Sequence, residues 1–187
     1  MDTSDRQALL TLLARHSYIR AQREFTLASG RRSNYYVDCK RTLYLAQGMR
    51  LAGELMLQMV LDAGVAQLGG MAAGALPVTD AIIAAAGYRG LDLRGFFVRK
   101  ETKDHGLQQL IEGAFRADLA TGVIDDTITT GGSSLAAVAA MRAAGASVTA
   151  AFALVDRGEG AQQAFSQAGL IYTYLFSAEE IRQAANG

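Results

Sequence analysis

The sequence predicts an α/β domain with a mostly parallel central sheet flanked by helices. Three observations carry that prediction. From Val65 onward, short apolar runs alternate with longer helix-forming stretches, the pattern of strand–helix units that build parallel sheets. Four of those strands end in Gly-rich or charged segments rather than tight turns. With 187 residues, half of them hydrophobic, the chain is long enough for one domain with a sizeable core. It shows no repeat, low-complexity stretch or linker, so a single unit over 1–187 is expected.

In chain order, residues 5–17 place Ala8, Leu9, Leu12 and Leu13 on one face, which predicts a helix with one apolar stripe. Phe25 to Asp38 reads as two short strands around a Ser29-Gly30 turn. Residues 45–62 predict a second helix, with Leu51, Leu55 and Val60 among its apolar positions and Gly64 beyond its end. Val65–Leu68 predicts a strand, followed by the Gly69–Gly74 loop and a helix to about Ala86. Gly95–Val98 is the next strand, before the charged run Arg99–Gly106. Gly122–Ile124 predicts a buried strand and Ser147–Val155 a long β-branched one, followed by Asp156–Gly160 and a helix. A strand near 170–175 and a short C-terminal helix complete the pattern. In open parallel sheets ligands bind beyond the carboxyl ends of the strands. The segments 70–74, 99–106, 125–133 and 156–160 are therefore expected to converge on one edge.

Composition narrows the function. Lys+Arg and Asp+Glu are equal at 18 each, giving zero net charge, which argues against a general nucleic-acid or anionic-membrane binder. Basic residues are instead local: Arg31-Arg32, Lys40-Arg41 and Arg99-Lys100. The one cysteine, Cys39, can make no intrachain disulfide and supports no metal cluster. No apolar run reaches membrane-spanning length, and the N-terminus lacks a secretory pattern. A soluble cytoplasmic protein is expected.

The chemistry concentrates in residues 122–134. Val123 and Ile124 end a strand, the acids Asp125 and Asp126 follow at its tip, and Thr127, Ile128, Thr129, Thr130, Gly131, Gly132, Ser133 and Ser134 form a hydroxyl- and Gly-rich loop before a helix from Leu135. Loop amides and a helix N-terminus both direct positive charge at an anion. No lysine follows the glycines, so this is not a P-loop, and it is not the dinucleotide Gly-x-Gly-x-x-Gly pattern. Carboxylates repel phosphate, so the acid pair must face sugar hydroxyls or a divalent cation. A phosphate one sugar-length from a diol is a ribose 5-phosphate. A plain acidic helix cap would need one side-chain oxygen and no Thr/Gly run. This stretch resembles the phosphoribosyl-diphosphate (PRPP) motif of type I phosphoribosyltransferases.

A second stretch narrows the resemblance. Arg99-Lys-Glu-Thr-Lys-Asp-His-Gly106 packs three permanent cations and one histidine into eight residues. It reads either as a solvated charge run or as a lid that closes over a polyanion. With Leu110-Ile-Glu-Gly113 it is similar to the catalytic loop of orotate phosphoribosyltransferases. Phe25-Thr-Leu-x-Ser-Gly-Arg-x-Ser-x-Tyr-Tyr36 resembles that family's hood over the base, and Val155-Asp-Arg-Gly-Glu-Gly160 matches a further motif. The four occur in family order from about Phe25 to Gly160.

That resemblance implies the type I phosphoribosyltransferase fold, with a small N-terminal hood at about 20–40 and a core at about 45–175. It implies the reaction orotate + PRPP ⇌ orotidine 5′-monophosphate + pyrophosphate, a pentosyl transfer in pyrimidine (UMP) synthesis. The expected cofactor is Mg²⁺, carried mainly by PRPP rather than by a protein metal site. The expected assembly is a homodimer that shares lid residues across its interface. Arg99, Lys100, Lys103 and His105 match residues that bind the pyrophosphate end, and Asp125 through Ser133 match the ribose-5-phosphate loop. Thr129 and Arg157 match orotate contacts, and Lys103, Asp125 and Asp126 are the expected catalytic residues. A planar guanidinium suits a planar carboxylate-bearing pyrimidine, although Arg157 equally has Asp156 and Glu159 beside it for a salt bridge. Tyr35 and Tyr36 read either as base-pocket residues or as sheet-core aromatics. Where some family members carry lysine, this chain has Ala28 and Ala73; Asn34 stands where proline is frequent.

Two other functions fit parts of the sequence. A phosphoribosyltransferase for a purine would have no carboxylate to meet Arg157. A PRPP-sensing nucleic-acid regulator would show a basic face or an added DNA-binding domain.

Overall fold

The computed structural model describes residues 3–26, 30, 32–100 and 110–187. Helix α1 (Thr3–Leu12) runs through a π-helical turn (Leu13–Ser17) into strand β1 (Tyr18–Thr26), which pairs antiparallel with β2 (Arg32–Val37). A one-turn helix α2 (Lys40–Leu43) and the long α3 (Ala46–Asp62) lead into the sheet. There follow β3 (Gln67–Met71), α4 (Ala75–Tyr88), β4 (Arg94–Val98), β5 (Ile111–Gly113), β6 (Ala120–Ile128), α5 (Gly132–Ala143), β7 (Ser147–Asp156), α6 (Ala161–Gln167), β8 (Ile171–Ser177) and α7 (Ala178–Asn186).

The sheet order is β5-β4-β3-β6-β7-β8, and only β5 runs antiparallel to its neighbour. Strand alternation divides the core in two. Ile124, Phe152 and Leu154 face a layer built with Leu9, Leu55, Val78, Ile82 and Ile181, from α1, α3, α4 and α7. Val123, Ala151 and Ala153 face the opposite layer, with Ala137, Val138, Met141 and Phe165 from α5 and α6. The stripe read for residues 45–62 is buried as expected: Leu51 and Val60 are fully covered and Leu55 nearly so.

Strands β3, β4, β6 and β7 lie side by side and point the same way. Their carboxyl ends therefore share one edge, the convergence expected from the sequence. Several boundaries differ. Gly69 and Gly70 are ladder residues of β3 rather than the start of a loop, because a Cβ on Gly70 would lie 1.9 Å from the Ile124 carbonyl oxygen. The first hairpin strand begins at Tyr18, well before Phe25. The short α2 and β5 have no counterpart in the sequence reading. Among the described residues, no helix is long and apolar enough to cross a membrane.

Candidate active site

The cradle forms where β6 passes into α5. Strand β6 extends to Ile128 through pairing with β7, with Asp125 opposite Ala153, Thr127 opposite Val155 and Ile128 opposite Asp156. The acid pair is therefore inside the strand, not in a loop beyond its tip as the sequence suggests. Helix α5 likewise starts at Gly132 rather than Leu135, so the loop contracts to Thr129-Thr130-Gly131. Gly131 holds φ 87°, a left-handed conformation natural to glycine. It occupies the N-cap position of α5, where no side chain caps the helix. The first amides of a helix have no intrahelical partner. Here they sit beside exposed Thr130, Gly132 and Ser133, which is an anion site by construction.

The acids lie beneath this cradle. Asp125 is 7% and Asp126 5% exposed. Asp125 Oδ1 accepts from the Asp126 amide at 3.0 Å, and Asp126 Oδ1 accepts from the Thr127 amide at 2.7 Å. Burial, and next the Asp126 charge, push the Asp125 carboxyl up to about 7. Burial also raises Asp126, but Lys40 works against it. Lys40 Nζ donates to Asp126 Oδ2 at 3.1 Å and lies 3.6 Å from Asp38 Oδ1. Burial disfavours the charged Lys40 amine; the Asp126 charge and hydrogen bond outweigh it and hold the amine above its ordinary value. The loop before α4 closes the other side. A Cβ on Gly74 would stand 2.5 Å from Asp125 Oδ1 and 3.3 Å from Asp126 Oδ1. Only glycine lets that backbone approach the carboxylates so closely. Cys39 Sγ lies 3.2 Å from Thr127 Oγ1, and burial pushes its thiol far up, so it is no nucleophile.

The neighbouring strand end supplies Arg157. Its amide donates to the Ile128 carbonyl at 2.9 Å, which seats it against the acid strand. Its Nε donates to Glu159 Oε1 at 3.2 Å, with the two side chains only 5% and 4% exposed. The salt bridge weighed from sequence is thus present. The guanidinium carbon also lies 5.2 Å from the centre of the Tyr35 ring, which in turn packs on Tyr18 at 5.4 Å. Tyr35 is partly buried, whereas Tyr36 is 47% exposed. Asp156 accepts from the Gly158 amide and shapes the turn.

At the β4 end, the Arg99 amide donates to the Leu110 carbonyl at 2.8 Å, and Arg99 Nη1 donates to Glu112 Oε1 at 2.8 Å. Lys100 is exposed. Lys103 and His105, with the rest of 101–109, lie outside the described residues, as does Ala28. Ala73 sits in the turn before α4. The structure thus gathers Asp125–Ser133 and Arg157 at one edge and anchors Arg99 at the β4 end, one strand removed across β3. Sequence reasoning gave no role to Lys40, Gly74 or Glu112. The sequence signal for Lys40 is the basic pair Lys40-Arg41 where the hairpin returns to the core.

No family model matches the chain. Relatives do. An orotate phosphoribosyltransferase of Bradyrhizobium sp. (strain ORS 278) is 40% identical over 182 residues, covering 95% of this chain and 97% of that protein. An orotate phosphoribosyltransferase of Rhodopirellula baltica is 46% identical over 153 residues, 79% of each. The crystal structure of Mycobacterium tuberculosis orotate phosphoribosyltransferase in complex with PRPP superposes with a TM-score of 0.79 at 35% identity, covering 95% of this chain and 99% of that one. This similarity covers nearly the whole chain. The chain belongs to the orotate phosphoribosyltransferase family.

Proposed function

We propose that this chain transfers the 5-phosphoribosyl group from PRPP to orotate, giving orotidine 5′-monophosphate and pyrophosphate, in the cytoplasmic synthesis of UMP. The observation that carries this reading is the pairing of two buried carboxylates near the end of β6 with the uncapped N-terminus of the helix that follows it. Amides of Gly132 and Ser133, with the Thr129 and Thr130 hydroxyls, hold the 5′-phosphate. Asp125 and Asp126 take the ribose hydroxyls and steady the positive charge that develops on the ring as the anomeric carbon–oxygen bond breaks. The ring nitrogen of orotate forms the new bond, so no covalent enzyme intermediate is needed. Arg157, held by Glu159 and Tyr35, meets the orotate carboxylate beside Thr129. Arg99, Lys100, Lys103 and His105 clamp the departing pyrophosphate.

Carboxylate oxygens at Asp125 and Asp126 suit Mg²⁺ that arrives on its substrate. Mg²⁺ keeps waters and phosphate oxygens as its preferred ligands, and would sit on PRPP oxygens beside Asp125 and Asp126. Bound there, it would neutralise charge on the leaving group. The working unit is a homodimer that shares lid residues across its interface, each protomer a single domain over 1–187 with a hood at about 20–40 and a core at about 45–175.

The test is to mix the purified protein with PRPP, Mg²⁺ and orotate and follow loss of orotate absorbance. The expected result is PRPP-dependent consumption with release of pyrophosphate. Consumption of uracil or a purine instead of orotate would overturn the substrate assignment.

A further inference from the structure

One charged group at the acid pair has no part in the reaction as described above. Lys40 opens α2, and its amide donates to Asp38 Oδ1 at 3.2 Å. Buried Thr42 and Leu43 anchor that helical turn in the core. From this fixed base its Nζ reaches Asp126 Oδ2 at 3.1 Å, while the Thr127 amide holds Oδ1 at 2.7 Å. Both oxygens of a nearly buried carboxylate are thus oriented by donors on different elements. Each carboxylate oxygen can accept two hydrogen bonds, so each keeps an acceptor direction for a sugar hydroxyl.

Charge gives the arrangement its purpose. A substrate bearing phosphates must settle over Asp125 and Asp126, with Asp38 close by. Unpaired, these carboxylates would repel it. The Lys40 ammonium offsets the Asp126 charge while occupying one acceptor direction of Oδ2. We propose that Lys40 is a positioning residue, whose ammonium orients and neutralises Asp126 so that this carboxylate can take the ribose hydroxyls of PRPP. The proposal rests on the reading that Asp126 grips the ribose, and adds the group that makes this grip compatible with an anionic ligand.

Calorimetric binding tests it without any base. For Lys40→Met, the affinity for PRPP with Mg²⁺ is expected to fall at least about tenfold, as for loss of one charged hydrogen bond. Ribose 5-phosphate, which keeps the diol, is expected to fall with it. Pyrophosphate, which lacks the sugar, feels only the lost charge and weakens by less than about threefold. Lys40→Arg restores most of the loss. In an Asp126→Asn background, Lys40→Met costs less than about twofold more, the non-additivity of groups acting as one unit. If Lys40→Met does not fold, Lys40→Gln enters the same comparisons. Equal weakening of pyrophosphate, additive losses in the double variant, or PRPP binding within twofold of wild type would each overturn the proposal. If the unmodified protein binds PRPP but leaves orotate unconsumed, the base assignment fails and Lys40 keeps its role. If it does not bind PRPP, both readings fall.

Discussion

Replacing Asp125 by asparagine should make the protein more stable at neutral and alkaline pH while removing much of its activity. Burial and the adjacent Asp126 push the Asp125 carboxyl from 3.8 to about 7. An acid raised in the fold keeps its proton there while the unfolded chain has already lost it. Stability from this group is therefore full below about pH 4 and declines through about pH 7. The slope is about 1.36 kcal/mol per pH unit, for a total on the order of 4 kcal/mol by pH 8. Asparagine is neutral throughout, and its Oδ1 can still accept from the Asp126 amide. Urea unfolding of both proteins from pH 4.5 to 8.5 gives the difference directly. Groups such as Glu179, held low by Arg182, act equally in both proteins and cancel. Expected is a gap in favour of Asp125→Asn that is about 1 kcal/mol at pH 4.5 and widens to about 4 kcal/mol by pH 8. A gap that does not change with pH, or a variant less stable at pH 8, would refute the account of a carboxylate held ionised against its surroundings.

Other perturbations probe the rest of the site. Gly74→Ala would place a methyl 2.5 Å from Asp125 Oδ1; kcat/KM for PRPP should drop at least about tenfold through misplaced carboxylates, and unchanged kinetics would count against their role. Glu159→Gln removes the charge that holds Arg157 Nε. The KM for orotate should rise about tenfold with little change for PRPP, and steady-state kinetics in both substrates separates the two. At the far end of the chain, Ser177 and Glu180 form a reciprocal capping box on α7. Ser177→Ala should cost about 1 kcal/mol in urea unfolding and leave turnover untouched.

The sequence was most legible where local pattern and tertiary demand agree. The apolar stripe of α3 carries its period in its own residues, the continuous apolar run of β7 marks a strand buried on both faces, and the Thr-Thr-Gly-Gly run announces its cradle. The acid pair misleads because Asp is a poor strand former. It enters β6 only because β7 supplies a pairing partner out to Asp156. Gly69 and Gly70 mislead in the same way, as a loop signal that in fact allows close backbone approach. Helix α2 and strand β5 are too short to leave a periodic trace, so both depend on contacts distant in sequence. With α2 went Lys40, whose partner Asp126 lies 86 positions further along the chain.

The two apolar layers described above bear on how this protein can change. The sheet is a partition: Leu55 and Val78 lie on one side of it and Val138 and Phe165 on the other. Helix residues of the two layers belong to separate clusters with the sheet between them, so the energetic effects of substituting them should largely add. One helical coat can therefore drift, or be rebuilt by design, while the other stays as it is. The strand ends proposed to carry the chemistry stand on the partition itself, where neither kind of remodelling reaches them first.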